Sequence, residues 1–168
     1  MTAKVISKVL EIDNCNDKLF LEALYKPKLW EELSPVTKIQ VTFKSPNVFT
    51  SKIIDEVGGV GNLLKIPIEM EGDLVLIDKG EDPGKGSLIE FNVRNNKDVK
   101  ELEGRIRVKP LAPNKAKIGV FIETLILSND FLNLLGKGAA EMILRTKVTS
   151  LLRNLEKYCR EYDLSQLI

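Results

Sequence analysis

The side chains that could do chemistry are few, and the most restrictive fact is a missing type. The sequence contains no histidine. That removes Ser-His and Cys-His nucleophilic pairs, histidine general bases and histidine metal sites. Cys15 and Cys159 lie near opposite ends of the chain in no metal-ligand spacing, so a zinc site of the Cys/His kind is not expected either. Catalysis would have to use Asp, Glu, Lys, Tyr or Arg. Such an enzyme would need one acid or base on an inward-facing position. Lys52, Glu123 and Tyr25 are the candidates for that role, and none has a partner visible in the sequence. Glu69, Glu71 and Asp73 form a small acidic cluster that could bind a cation, but the spacing fits no calcium loop and a solvated turn is the default. Gly58-Gly59-Val60-Gly61 could cradle a phosphate with backbone N–H groups. A P-loop, however, carries a Lys-Ser/Thr pair and opens a helix, whereas Asn62-Leu63-Leu64-Lys65 leads into a strand. A tight hairpin connection is the better reading. No cofactor and no metal is expected.

Bulk properties exclude other classes. The chain has 168 residues, enough for one domain spanning the whole length. Its net charge of +1 comes from 25 basic and 24 acidic residues scattered along the chain, with no basic tail or arginine stripe to draw nucleic acid. No apolar run approaches the roughly 18 residues of a membrane span, and Met1-Thr2-Ala3-Lys4 leads into alternating sequence without a signal-peptide core. A cytoplasmic protein is expected, with Cys15 and Cys159 as free thiols, since cytosolic disulfides are rare. Only two glutamines stand beside many Lys, Glu and Ile, which leans towards a thermophile, although the many asparagines argue against it.

The elements that must position these residues follow from periodicity. Lys4 to Ile12 alternates loosely and reads as a strand ending at the turn pair Asp13-Asn14. Asn14 or Asn16 can cap a short amphipathic helix carrying Leu19, Phe20, Ala23 and Leu24. Pro27 interrupts it, and Lys28 to Leu33 forms a second short helix, closed by Ser34-Pro35. The period then switches to two. Ile39, Val41 and Phe43 mark a strand with one wet face, paired as a hairpin with Val48–Val57. Leu63–Met70 and Leu74–Lys79 read as separate strands, and Pro67 makes the first an edge or an irregular strand. Strands centred on Phe91 and on Ile106 follow, with Glu90, Arg94, Arg105 and Arg107 on the wet parity. In Ala116–Leu127 both parities are apolar, so both sides should be covered, at least in part. From about Asn129 the chain is helical. Leu144, Val148, Leu151, Leu155, Tyr158 and Tyr162 make one stripe, whereas Phe131, Leu135, Ala139 and Met142 fall on nearly the opposite side of the same wheel. Such a helix either does two jobs or bends.

The order strand, two short helices, six or seven antiparallel strands and one long C-terminal helix resembles the helix-grip architecture of the START-like (SRPBCC) superfamily. That superfamily includes polyketide cyclases, lipid-transfer domains and the plant pollen-allergen family. Leu29-Trp30-Glu31-Glu32-Leu33-Ser34-Pro35-Val36 looks like the tryptophan-proline approach to the sheet in the cyclase branch. Glu56-Val57-Gly58-Gly59-Val60-Gly61 looks like the glycine-rich loop of the pollen-allergen branch. The resemblance implies an α+β fold, a curved antiparallel sheet of about seven strands with a cavity beneath the C-terminal helix. It implies binding or carriage of a lipid, fatty acid, isoprenoid or polyketide-like molecule there. No family motif holds a catalytic residue that could be carried over.

The candidate ligand-binding residues are Trp30, Phe91, Val93, Ile106, Val108, Ile122, Phe131, Leu135, Ala139 and Met142. For the strand residues, simple core packing is the commoner outcome; for Trp30 it is anchoring of a short helix. For the first part of the helix the alternatives are a dimer interface or a bend that still packs inward. Gly136 and Gly138 would loosen the helix near an entrance. The first expectation is a hydrophobic-ligand carrier, monomeric or homodimeric, that binds no nucleic acid and is not embedded in a membrane. A cyclase-type enzyme and a homodimeric interaction module are the alternatives.

Overall fold

The structure, a computed structural model, describes residues 6–58 and 65–168. Strand β1 (Ile6–Asp13) stops at Asn14, whose φ of 53° turns the chain, and Asn16 caps helix α1 (Asp17–Ala23) by accepting from Leu19 N at 3.0 Å. Pro27 starts helix α2 (Pro27–Leu33) where its missing N–H costs nothing. Six strands follow in one run: β2 (Lys38–Ser45), β3 (Val48–Gly58), β4 (Lys65–Asp82), β5 (Gly86–Arg94), β6 (Val99–Ala112) and β7 (Lys115–Leu127). All pairings are antiparallel in the order β1-β7-β6-β5-β4-β3-β2. β1 and β2 are therefore opposite edges, and α1 and α2 carry the chain from one edge to the other. Helices α3 (Asn129–Leu135) and α4 (Lys137–Glu161) close the inner face, and a short 3-10 turn, Leu164–Leu167, ends the chain. This is the helix-grip arrangement that the element order implied. Among the described residues no helix is long and apolar enough to cross a membrane.

Three local departures from simple periodicity shape the molecule. The expected strands Leu63–Met70 and Leu74–Lys79 are one, the 18-residue β4. Its partner β5 reaches only as far as Asp73↔Arg94, so the half of β4 that carries Pro67 pairs with β3 alone. Pro67 thus sits on a free edge, where its missing donor is harmless. Glu69, Glu71 and Asp73 lie in this strand and not in a turn. In β7 the register slips, Gly104 pairing with Ile122 but Glu103 with Thr124. The extra residue, Glu123, is a β-bulge that re-aims the strand. Ile118, Val120 and Ile122 face inward before it, and Leu125 and Leu127 face inward after it. The two apolar parities therefore belong largely to one face; Phe121, on the other, lies under the Arg105 guanidinium at 5.5 Å.

The third departure is at Gly136, with φ 82° and ψ 149°, a conformation confined to glycine. It separates α3 from α4 and restarts the helical phase. The glycine run from Gly59 to Gly61 lies outside the described residues; Gly58 closes β3 against Lys65 of β4.

The interior divides in two. Under the C-terminal half of α4, Val148, Leu152, Leu155 and Cys159 pack with Phe20, Leu24, Leu29 and Leu33 of the α1–α2 segment onto Ile106, Val108, Ile118 and Ile122 of the sheet. Polar clamps hold α4 in place there: Asn154 Nδ2 donates to Leu33 O at 2.8 Å and Asn14 Nδ2 to Cys159 O at 2.6 Å. The first of these satisfies a carbonyl that the end of α2 leaves open. Under α3 and the start of α4 lies a second, smaller cluster of Val57, Ile68, Val99, Leu127, Leu135 and Ala140.

Candidate ligand-binding cavity

The second cluster borders a half-open cleft. α1 and α2 lie at the other end of the sheet and send no side chain here. The floor is Val57 and Ile53 of β3, Ile68 and Met70 of β4, Leu102 of β6, and Leu125 and Leu127 of β7; Val99 stands at the edge. The roof is Phe131 and Leu135 of α3 with Ala140, Ile143 and Leu144 of α4. Ala140, the smallest side chain of that roof, fills little of the space below it. The cavity measures about 250 Å³, just below the roughly 300–1,000 Å³ of sites for drug-sized ligands. It suits a small apolar molecule better than a sterol or a phospholipid.

One charged pair interrupts the apolar wall. Lys147 Nζ lies 2.5 Å from Asp55 Oδ2 and also donates to Pro35 O at 2.6 Å. Asp55 Oδ1 accepts from Thr37 N and Thr37 Oγ1, both at 3.2 Å. Burial pushes the Asp55 carboxyl up, but the Lys147 ammonium and the backbone N–H groups of Glu56 and Thr37 outweigh it and hold the group below the usual carboxylate range. Neither residue was singled out from the sequence. A signal existed for one: Asp55 lies on the same parity as Phe49, Ile53 and Val57, an acid among apolar neighbours.

The sequence-derived candidates are scattered over the interior. Phe131 and Leu135 line the cavity, and Val93 packs on the same cluster. Ala139 and Met142 do not line it, and Met142 is 65% exposed. The break at Gly136 shifts the α4 positions, so that Ala140 and Ile143 face inward in their place. Ile106, Val108 and Ile122 are buried in the filled half, as core. Phe91 lies over Gly104, where an added Cβ would fall 2.5 Å from its ring, and also packs on the filled half. Trp30 anchors α2: its indole N–H donates to Leu24 O at 2.8 Å and its ring rests on Phe49 with centroids 5.1 Å apart.

The acid–base candidates are not in the cavity. Lys52 faces the outer surface of the sheet, and Glu123 sits in the β7 bulge with Arg105 Nε at 3.3 Å. The Tyr25 hydroxyl is buried in the α1–α2 region with no hydrogen-bond partner among the described residues, its pKa raised by burial and by the Asp78 charge. A wider, shallow groove of about 730 Å³ crosses the outer face beside Lys44, Thr50, Lys52 and Asp73. Its one buried acid is already engaged: Asp73 accepts from Thr50 Oγ1 at 2.7 Å, Asn95 Nδ2 at 2.7 Å and Lys44 Nζ at 2.8 Å. The cleft on the inner face has the more uniformly apolar wall of the two.

No protein-family model and no curated protein matches the sequence. Solved structures match its shape. A START superfamily protein from Mycobacterium smegmatis superposes with a TM-score of 0.62 at 12% identity, over 97% of this chain and 98% of that one. The Zhui aromatase/cyclase from Streptomyces sp. R1128 gives 0.57 at 12% identity, over 99% and 94%. Norcoclaurine synthase from Thalictrum flavum, solved in complex with dopamine and hydroxybenzaldehyde, gives 0.59 at 14% identity, over 97% and 89%. At such identities the likeness is one of fold.

Proposed function

We propose, from the START-like helix-grip fold that this chain has, that it binds a small hydrophobic molecule in the cavity between the sheet and the α3–α4 hinge. The observation that carries this reading is the half-open cleft of about 250 Å³ with aliphatic and aromatic walls. A chamber lined this way is filled by apolar surface more favourably than by water, at about 25 cal/mol per Å² removed from solvent. Structural neighbours support this use of the fold: a norcoclaurine synthase was solved in complex with dopamine and hydroxybenzaldehyde, and others are aromatase/cyclases. Binding or carriage is favoured over catalysis, because Lys52, Glu123 and Tyr25 lie away from the chamber and its only charged groups among the described residues neutralise each other.

Native mass spectrometry of freshly purified protein, followed by organic extraction, tests this. We expect a co-purifying apolar mass of modest size that disappears in Ile143→Asp. A clean protein mass, together with no uptake of neutral apolar probes, would sink the reading.

A second reading rests on a separate observation. Leu134 and Met142, flanking the hinge, are 53% and 65% exposed, and Ile126 nearby is 47% exposed, a combination that would suit a homodimer. Sedimentation of Leu134→Asp/Met142→Asp beside the unaltered protein decides it; equal mass for both removes the dimer.

A further inference from the structure

The two cysteines of the chain, far apart in sequence, meet in the filled half of the interior. Cys15 lies in the turn between β1 and α1, and Cys159 in the last turn of α4. Both are fully buried in the same core cluster, and the Cys15 thiol makes a hydrogen bond to Cys159. Their backbones are fixed by separate bonds. Cys15 N donates to Asn114 O at 3.0 Å, and Asn14 Nδ2 donates to Cys159 O at 2.6 Å. The second bond ties the residue beside Cys15 to Cys159 itself, so the backbone holds the two side chains near each other. A sulfur–sulfur bond would use none of these backbone groups, and both clamps would survive it. Among the described residues no third acid or cysteine joins the pair in a group that could hold a metal.

We propose that Cys15 and Cys159 are a redox pair that closes to an intramolecular disulfide where a small disulfide such as oxidised glutathione prevails, and that this bond locks the end of α4 to the β1–α1 turn. One cysteine thiolate attacks a sulfur of oxidised glutathione and releases one glutathione thiol. The other attacks the protein sulfur of the mixed disulfide and releases the second. Two protein thiols are oxidised, one glutathione disulfide is reduced, and the two protons pass to the two glutathione molecules. The buried thiols of the native protein react only when the last turn of α4 opens locally, whereas a folding chain reacts directly. The loop so closed holds strands β2 to β7, and closing it removes freedom mainly from the unfolded chain. Neither cysteine lines the cleft, so the cross-link leaves that end of the molecule as it is.

The test equilibrates the protein in glutathione buffers from fully reduced to fully oxidised, starting both from the native state and from reduced, unfolded chains. Each sample is unfolded, alkylated with N-ethylmaleimide and weighed intact. We expect two alkylated cysteines in reduced glutathione. In oxidised glutathione we expect a monomer lighter by two hydrogens, with no alkylation and no glutathione adduct. Its thermal midpoint should rise by roughly 5–15 °C, and dithiothreitol should abolish the rise. Cys15→Ala should show no such difference between oxidised and reduced samples, a comparison made within one variant and therefore independent of what the substitution itself costs. Two free or glutathionylated cysteines from both starting states would overturn the inference. So would a disulfide between two chains, or an intramolecular one that leaves the midpoint unchanged or lowers it.

Discussion

Two acids, Asp55 and Asp73, are buried to similar degrees on opposite faces of the sheet, and each is held by several donors. The one on the outer face bears directly on stability. Burial alone would raise the Asp73 carboxyl, but Lys44, Asn95 and Thr50 together bring it down to about 2. A carboxyl depressed in the folded state stabilises the protein above its unfolded pKa, and that contribution is lost as pH falls towards the folded value. Thermal unfolding should therefore show a loss of stability between about pH 4 and pH 2, and Asp73→Asn should flatten the profile in that window. An unchanged acid limb in the variant would mean that Asp73 is not the group responsible. Cys15 and Cys159 are both fully buried free thiols, and the Cys15 thiol is pushed up by its hydrogen bond to Cys159 and then by burial. A thiolate-directed reagent should label neither cysteine in the native state and both after unfolding; rapid native labelling would contradict their placement. At this scale the sequence revealed absences better than sites. The lack of histidine was plain, but the Asp55–Lys147 pair joins β3 to α4, and no local pattern connects them.

Elements were legible where their periodicity was uniform and obscure where one residue changed its phase. Ile39–Phe43 and Phe91–Val93 alternate cleanly and are strands as read. In β7 the inserted Glu123 turns Leu125 and Leu127 to the inner face, and parity counted through it is wrong by one. In the C-terminal helix, Gly136 does the same to a period of 3.6, so Ala140 and Ile143, rather than Ala139 and Met142, line the cleft. The Gly136 backbone is the cause, so its replacement is informative. An added Cβ would meet nothing within 4 Å, and the penalty is therefore conformational alone. Gly136→Ala should cost about 1–3 kcal/mol in denaturant unfolding. No change in midpoint would mean that the hinge adopts another conformation.

Across the whole molecule the fold uses one end of a curved sheet for stability and leaves the other end hollow. The filled end takes its side chains from α1, α2 and the C-terminal half of α4, locked by Trp30, Asn154 and Asn14. Among the described residues the cleft end has only the short α3 and the first turns of α4 above it. Truncation should discriminate the two. Leu152→Ala, in the filled half, should cost about 2–5 kcal/mol. Ile143→Ala, on a wall that already borders empty space, should cost less and enlarge the cavity. Equal costs would mean that both ends are packed alike. The global arrangement was legible because the order of elements survives errors in each one: merging two strands into β4 changed the count but not the architecture. The position of the void was not, since it depends on which helix reaches which end of the sheet.

The most direct measurement is titration of N-phenylnaphthylamine into the unaltered protein and into Ala140→Phe, with folding of both followed by circular dichroism. Ala140 is 7% exposed at the centre of the cavity roof, so a phenyl ring there occupies the space a ligand would take. We expect saturable, blue-shifted fluorescence with the unaltered protein and none with the variant, which remains folded and unfolds at the same or a higher temperature. Equal probe binding by a folded Ala140→Phe, or none by either protein, would contradict a ligand cavity at this place.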